Sequence, residues 1–200
     1  KYGYPDPTVI SKPVNGRGGR GLYVFEGNDN PPLWLGSGQR EKRIKKQDLT
    51  EELLRLIIQD DCLVMPALTT PSYDADVVSA AGDVKLVVVR ERINPAGIPF
   101  QGNKIHSDMS ITQYCHDIAT ALNLDSIHDI DLMTDQNGDP CVIEVNPRPS
   151  GSIAATLTAG IPAVDIAILT LCGMTIPDVR IGSDIMILPS NNGGMEIVYE

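Results

Sequence analysis

Apolar and polar residues alternate along two short stretches on either side of the dipeptide Asn137-Gly138. A period of two is typical of a half-buried strand, and Asn-Gly favours a tight hairpin turn because both central residues need a positive φ. Counting back from this turn, Gln136 pairs with Asp139. The same register places four polar residues on one face and four apolar residues on the other: Asp129, Asp131, Glu144 and Asn146 against Ile130, Leu132, Ile143 and Val145.

The polar face of this hairpin has Asp131 directly opposite Glu144. Two opposed carboxylates repel each other on a sheet unless a cation lies between them. Together with the amide oxygen of Asn146, they form a set of hard oxygen ligands that suits Mg²⁺ or Mn²⁺. A hairpin with a solvated acidic face explains the same spacing, so the pattern alone leaves a metal site and an acidic surface as alternatives.

The remaining hydrophobic pattern predicts several helices around this hairpin, within one mixed α/β unit. Capping residues, apolar spacing of three and four, and helix-stop signals mark their ends. Four helices are predicted. The first opens at the capping box Asp48–Glu51, the second begins near Ser107 or Asp108, the third begins at Ser150, and the fourth lies between Pro162 and Gly173. A closing hairpin is predicted over residues 191–200.

A strand is predicted over residues 85–93, because its apolar run Leu86–Val89 demands burial. Arg90 and Arg92 are two residues apart in this strand and therefore point to the same side. This placement is compatible with two roles for these arginines: contact with a phosphate or a carboxylate substrate, or a salt bridge at the surface.

A glycine-rich segment near the amino terminus satisfies the dinucleotide pattern G-x-G-x-x-G with Gly16, Gly18 and Gly21. That motif requires a helix directly after it, to receive the pyrophosphate. Here the segment Leu22–Phe25 follows, which has the composition of a strand. A glycine loop between two strands is instead a flap able to offer backbone N–H groups to phosphates. The alternative interpretation, that the chain is a nicotinamide oxidoreductase, is supported by the glycine pattern alone.

Composition excludes several classes of protein. The net charge of −10 disfavours nucleic-acid binding, no apolar run is long enough for a membrane span, and no signal peptide opens the sequence. The four cysteines lack metal or disulfide spacing, which favours a reducing, cytoplasmic location. Residues 1–60 carry ten Lys and Arg against eight Asp and Glu, so the acidic excess lies in the rest of the chain.

The segment Glu144-Val-Asn-Pro-Arg148 closely resembles the metal-binding signature of the ATP-grasp superfamily, most of all that of the carbamoyl-phosphate synthetase large chain and related carboxylate ligases. The resemblance implies that Asp131, Glu144 and Asn146 hold Mg²⁺ or Mn²⁺ that bridges ATP phosphates. It implies further that Arg148 faces the transferred phosphoryl group as the catalytic cation. Asp129 has no counterpart in the signature.

The nucleotide-binding residues that the resemblance implies lie in three further segments. The glycine flap resembles the loop that covers the ATP phosphates, the segment Cys62–Leu68 resembles the adenine hinge, and two strands add single charged positions. Where the family usually has glutamates, Pro66 and Ser72 stand here. The implied ATP-binding residues are Lys12, Gly16, Arg17, Gly18, Gly19, Arg20, Gly21, Met65, Pro66, Ala67, Leu68, Asp76 and Arg90. For Asp76, an exposed position on an edge strand is the plainer account.

The implied fold is α+β, a mostly antiparallel sheet with flanking helices and a glycine-rich flap. Residues 1–200 would form an ATP-grasp domain that lacks its amino-terminal portion, with a flap subdomain over about 1–66 and a metal-binding subdomain over about 67–200. The implied function is an ATP- and Mg²⁺-dependent ligase, similar to carbamoyl-phosphate synthetase, that activates a small carboxylate as an acyl phosphate for attack by an amine or a similar nucleophile. The resemblance implies that a missing amino-terminal half or a partner chain completes this ligase, and a homo-oligomer is compatible with it. A non-catalytic nucleotide-binding module that acts with a partner chain is the alternative.

Overall fold

The structure of the chain is a computed structural model that describes residues 4, 6–15, 21–28, 41–57, 61–94, 101–106, 108–182 and 184–198. The chain divides into two compact units, Lys1–Thr69 and Thr70–Glu200.

The described residues of the first unit form a four-stranded sheet and one α-helix. The order of the strands is β3-β2-β1-β4, where β1 is antiparallel to β2 and β4 and β2 is parallel to β3. Val9, Phe25, Ile44 and Ile57 form one buried cluster of this unit. The elements are β1 (Val9–Pro13), β2 (Leu22–Glu26), β3 (Glu41–Lys45), α1 (Glu51–Ile57) and β4 (Cys62–Pro66).

Helix α1 begins later than the capping box predicts. Lys46–Asp48 forms a 3₁₀ turn, and the hydroxyl of Thr50 accepts the hydrogen bond from the Leu53 N–H at 3.1 Å. Thr50 therefore caps the helix in place of Asp48, because the 3₁₀ turn already uses the backbone around Asp48.

The second unit contains a seven-stranded sheet with the order β11-β10-β7-β6-β5-β8-β9. Neighbouring strands are antiparallel in the pairs β11–β10, β10–β7, β7–β6, β6–β5 and β8–β9. The strands are β5 (Thr69–Ala80), β6 (Asp83–Arg92), β7 (Asn103–Ile105), β8 (Ser126–Thr134), β9 (Pro140–Asn146), β10 (Met186–Pro189) and β11 (Met195–Val198). A hairpin is present near the carboxyl end, but it consists of β10 and β11 and begins at Met186, before the predicted residues 191–200.

Helices cover both faces of this sheet. Helix α2 (Met109–Ala121) packs on one face through Ile111, Cys115 and Ala119. Helices α3 (Ile153–Thr158) and α4 (Ala163–Leu171) pack on the other face. The carboxylate of Asp108 caps α2 by accepting from the Ser110 N–H at 2.7 Å, as the sequence predicts.

The β8–β9 hairpin has the predicted pairs at its far end and a different geometry near its turn. Asp131 faces Glu144 and Asp129 faces Asn146, but the register shifts after Asp131, so Leu132 faces Val142. The last pair is Thr134 with Pro140, and a five-residue loop follows in place of the predicted two-residue turn. The predicted pairing of Gln136 with Asp139 is therefore wrong.

The register shift is a bulge that carries one extra residue, Ile143, on β9. Val142 and Val145 pack against the core beside Ile130 and Leu132. Val142 thus takes the core position that the strict alternation assigns to Ile143. The Asp135 carboxylate organises the loop by accepting from the Asn137 N–H at 2.8 Å and the Asp139 N–H at 3.0 Å.

The predicted fold class is confirmed, because both sheets are mostly antiparallel and the larger one has helices on each face. Within the described residues, no helix combines the length and the apolar character needed to cross a membrane.

Candidate metal and phosphate site

The polar face of the β8–β9 hairpin belongs to the sheet face that α3 and α4 cover. Asp129 is almost completely buried, Asn146 is half-buried and Glu144 is exposed. The register places the side chains of Asp131 and Glu144 opposite each other and those of Asp129 and Asn146 opposite each other. The register therefore places the three predicted metal ligands on one face of the hairpin, Asp131 on β8 and Glu144 and Asn146 on the edge strand β9.

A fourth carboxylate, that of Asp74, reaches this face from strand β5. One carboxylate oxygen from each of Asp74, Asp129 and Asp131 lies within 4.8 Å of the other two. Asp74 is buried because it lies in the middle of the sheet, on the same face as Asp76. Oxygen-only ligand sets of this kind suit Mg²⁺ or Mn²⁺.

Arg92 joins two of these carboxylates. Its Nε donates to Asp74 Oδ2 at 2.9 Å, its Nη2 forms a second bond to Asp74 Oδ1, and Nη2 also donates to Asp131 Oδ1 at 3.0 Å. A guanidinium that binds a carboxylate with two parallel bonds has a fixed orientation. Arg92 therefore holds Asp131 from one side.

Arg148 follows the last strand of the hairpin and contacts Asp129. Its Nη1 donates to Asp129 Oδ2 at 3.0 Å and to the carbonyl oxygen of Pro149 at 2.8 Å. About half of the Arg148 side chain, 53 %, is exposed to solvent. The guanidinium is thus anchored at one nitrogen and remains open to an anion from solution.

The pKa values of the three carboxyl groups reflect their crowding. Burial, together with the charges of Asp74 and Asp76, raises the pKa of Asp129 to about 6. Burial and a hydrogen bond to Asp74 raise the pKa of Asp131. Burial also raises the pKa of Asp74, but the Arg92 hydrogen bond outweighs it and the net shift is downward. A bound divalent cation would offset this repulsion, so these residues fit such an ion.

Asp76 and Arg90, two predicted ATP contacts, are completely buried and bind each other at 3.0 Å. Arg90 also donates to Ser150 Oγ at 2.8 Å and to the Ser152 carbonyl at 3.2 Å, and Thr156 Oγ1 donates to Asp76 at 2.5 Å. Side chains without exposed surface offer no contact to a nucleotide in this arrangement. The structure places them as the link between the sheet and α3, and the expected exposed edge position of Asp76 is wrong.

The predicted flap lies between β1 and β2 in the first unit. These strands are antiparallel and β2 follows the loop directly, which is contrary to a dinucleotide-binding turn because that turn opens a helix. Lys12 lies in β1. Gly21 has a φ of +76°, and a Cβ there would lie 2.8 Å from Pro13 Cγ, so the position requires glycine. Gly16, Arg17, Gly18, Gly19 and Arg20 lie outside the described residues.

The predicted adenine hinge forms the end of β4 and the residues after it. Pro66 is exposed, Met65 is half-buried, and Ala67 and Leu68 are buried. The Ala67 N–H donates to the Thr8 carbonyl at 2.9 Å. The Ala67 N–H is therefore already bonded within its own unit.

Residues 59–188 match the protein family described as ATP-grasp in the biosynthetic pathway with Ter operon. The chain belongs to this ATP-grasp family. A comparison with curated proteins gives no match.

Several solved structures share the fold of the chain. N5-carboxyaminoimidazole synthetase from Staphylococcus aureus, complexed with ADP, has a TM-score of 0.64 and 16% identity over 92% of this chain and 46% of its own length. L-amino acid ligase from Bacillus licheniformis has a TM-score of 0.58 and 18% identity over 94% and 44%. Biotin carboxylase from Campylobacter jejuni, in a β-γ-ATP complex, has a TM-score of 0.58 and 17% identity over 94% and 42%. This chain thus spans less than half the length of each of these three proteins.

The ATP-grasp signature in the sequence did not reveal the role of Asp74. A signal was present in the pattern, because Asp74 and Asp76 alternate with the apolar residues Tyr73, Ala75 and Val77 in a strand with no solvent-exposed face. Acidic residues that alternate in a central strand need cationic partners on a neighbouring strand. Arg90 and Arg92 have the same spacing in β6 and supply them.

Proposed function

We propose that this chain is the ATP- and metal-binding part of an ATP-dependent ligase that activates a small carboxylate as an acyl phosphate for attack by an amine or a similar nucleophile. The observation that carries the proposal is the β8–β9 hairpin, where Asp131 faces Glu144 and Asp129 faces Asn146 beside the exposed guanidinium of Arg148. The family supports the ATP-grasp chemistry, and the resemblance of residues 144–148 to the carbamoyl-phosphate synthetase signature supports carboxylate activation.

The proposed metal ligands are Asp131, Glu144 and Asn146. When bound, Mg²⁺ or Mn²⁺ would neutralise phosphate charge that otherwise repels the acceptor carboxylate. Arg92 holds Asp131 in place through a 3.0 Å bond, so the ligand pair across the hairpin keeps its geometry. Arg148 offers a fixed cation to the charge that develops on the transferred phosphoryl group.

The remaining ATP-binding roles fall to the first unit. We assign the phosphate contacts to Lys12 and to the flap that ends at Gly21, and the adenine contacts to backbone groups of Met65, Pro66 and Leu68. An adenine edge is recognised through N–H and C=O groups, so the loose side-chain identity of this segment is compatible with that role.

We assign the binding place of the small carboxylate substrate to a cavity in the second unit. A cavity of about 480 Å³ opens beside Arg92, which itself contacts the metal ligand Asp131. This volume is in the range of pockets for small molecules. The cavity is lined by Thr70, Pro71, Glu91, Arg92, Ile93 and Lys104.

Calorimetric titration of the full-length protein with ATP tests the metal assignment. We expect tight binding only with Mg²⁺ or Mn²⁺, and at least about tenfold weaker binding in Glu144→Gln, which corresponds to about 1.4 kcal/mol. Glu196→Gln is the matched control, because Glu196 is also an exposed glutamate on an edge strand, at the opposite side of the same sheet. ATP binding that is insensitive to chelator and to Glu144→Gln would overturn the proposal.

A further inference from the structure

Asp129 contacts two proposed site residues without belonging to the metal-binding signature. Its Oδ2 accepts from Arg148 Nη1 at 3.0 Å and from Asn146 Nδ2 at 3.5 Å. Only 3 % of Asp129 is exposed, and Asn146 lies directly opposite it across the hairpin. The carboxylate is therefore fixed by its strand and by its neighbour on β9.

The environment of Asp129 is unfavourable for a residue that serves stability alone. Its Oδ1 is buried and has no hydrogen-bond partner among the described residues. A buried carboxylate oxygen without a partner costs folding free energy, and the nearby carboxylates of Asp74 and Asp131 add repulsion. An apolar residue of similar shape would relieve both costs, so a role outside folding accounts better for the charge.

Arg148 is the side chain that gains from this charge. A long side chain with half of its surface in solvent samples many rotamers, and this conformational freedom is lost when the side chain binds a phosphoryl group. The bonds from Nη1 to Asp129 and to the Pro149 carbonyl restrict the guanidinium before any ligand arrives. A positioned cation stabilises developing charge without reorganisation.

We infer that Asp129 is a positioning residue that orients the Arg148 guanidinium toward the transferred phosphoryl group, an inference that rests on the proposed function. Asp129 itself touches neither nucleotide nor substrate. Asp129 contributes to binding affinity only when a group at the phosphoryl position contacts Arg148, and this contribution acts through Arg148 alone.

The test is a double-mutant cycle in the full-length protein, with MgADP alone and MgADP plus aluminium fluoride as probes measured by calorimetry. Aluminium fluoride mimics the transferred phosphoryl group, whereas MgADP leaves its position empty. The variants are Asp129→Asn, Asp129→Ala and Arg148→Met, together with the two double mutants that combine each Asp129 variant with Arg148→Met. Asp83→Asn is the matched control, since Asp83 also binds a basic side chain, Lys85, but lies at the opposite end of β6 from Arg92.

We expect Asp129→Asn and Asp129→Ala to weaken binding of MgADP plus aluminium fluoride at least about tenfold and binding of MgADP alone less than about threefold. In the Arg148→Met background, the further loss should be below about threefold, because residues that act through one another are not additive. Asp83→Asn should change neither affinity.

Three outcomes would contradict the inference. If aluminium fluoride does not tighten MgADP binding by the wild type, the proposed function and the inference both fall. If it does, but Asp129→Asn costs the same with and without Arg148, the inference alone falls. If both Asp129 variants are unfolded at the assay temperature by circular dichroism, Asp129 is structural and the inference again falls alone.

Discussion

Replacement of Asp76 by asparagine tests whether the buried Asp76–Arg90 pair supports the fold or binds the nucleotide. Both side chains are fully buried and lie 3.0 Å apart. Asparagine has nearly the same shape, and its amide oxygen is able to accept the bonds from Arg90 and Thr156 that Asp76 Oδ2 receives. The substitution therefore removes the negative charge and little else.

The size of the effect follows from the burial of Arg90. An arginine is always charged, so without Asp76 its guanidinium stays buried, with Asn103, Ser150 and Ser152 as its neutral hydrogen-bond partners among the described residues and the charges of Asp74 and Asp129 farther away. Removing one partner of a buried pair costs about 3–5 kcal/mol, and the retained hydrogen bonds favour the lower end. At about 3 °C per kcal/mol for a domain of this size, the melting temperature should fall by about 10 °C.

Urea unfolding and thermal melting followed by circular dichroism measure this loss, and MgATP titration of the folded variant measures nucleotide binding. Asp83→Asn serves as the control, because its ion pair with Lys85 is exposed and should contribute less than about 1 kcal/mol. A loss below about 1 kcal/mol in Asp76→Asn, or unchanged stability with strongly weakened MgATP binding, would refute the structural assignment.

Three further predictions concern the proposed site. Arg148→Lys should leave ADP affinity nearly intact but lower acceptor-dependent ADP release at least about tenfold, because lysine keeps the charge and loses the planar fork; equal turnover in a screen of small carboxylates and amines would favour a non-catalytic module. ATP or ADP should raise the melting temperature more than NAD(H) does, and the reverse ranking would favour a dinucleotide site. The metal-free protein should lose stability as the pH rises from about 5 to 8, because folding raises the pKa values of Asp129 and Asp131. The stability that these two groups contribute is fully present below their unfolded pKa of about 4, and it is lost as the pH rises through their folded-state pKa values. Urea unfolding across this range should show the loss, added Mg²⁺ should reduce it, and an identical slope in Asp131→Asn would contradict the assignment.

The predicted pairs Asp131–Glu144 and Asp129–Asn146 are present because two departures cancel: the five-residue loop shifts the register of the β8–β9 hairpin by one residue, and the bulge at Ile143 shifts it back. Alternation specifies which residues share a face, and the Asn137-Gly138 dipeptide specifies where the chain reverses. The bulge at Ile143 was not predictable from the same signal. Val142 and Ile143 are both apolar, so the sequence does not distinguish which of them packs on the core, and only the packing against Ile130 and Leu132 decides it.

The burial of charged residues in the centre of the larger sheet is the feature that sequence reasoning assigned wrongly. An aspartate in a strand is expected at the surface, because an unpaired buried charge is unstable. Asp76 is buried because Arg90 lies on the neighbouring strand and α3 adds the hydroxyl of Thr156. Arg90 lies on the adjacent strand of the β5–β6 hairpin, but Thr156 lies 80 residues along the chain from Asp76, and a single sequence does not specify that these segments meet.

The charges around the hairpin argue for a cation and an anion bound together. The described side chains at this site include four carboxylates, Asp74, Asp129, Asp131 and Glu144, against the two guanidinium groups of Arg92 and Arg148. Arg92 is committed to Asp74 and Asp131, whereas Arg148 remains half exposed. The carboxylate face therefore lacks positive charge, while the open cation beside it lacks an anion. A divalent metal bound with the phosphates of a nucleotide supplies both at once, which neither a metal alone nor an anion alone would do.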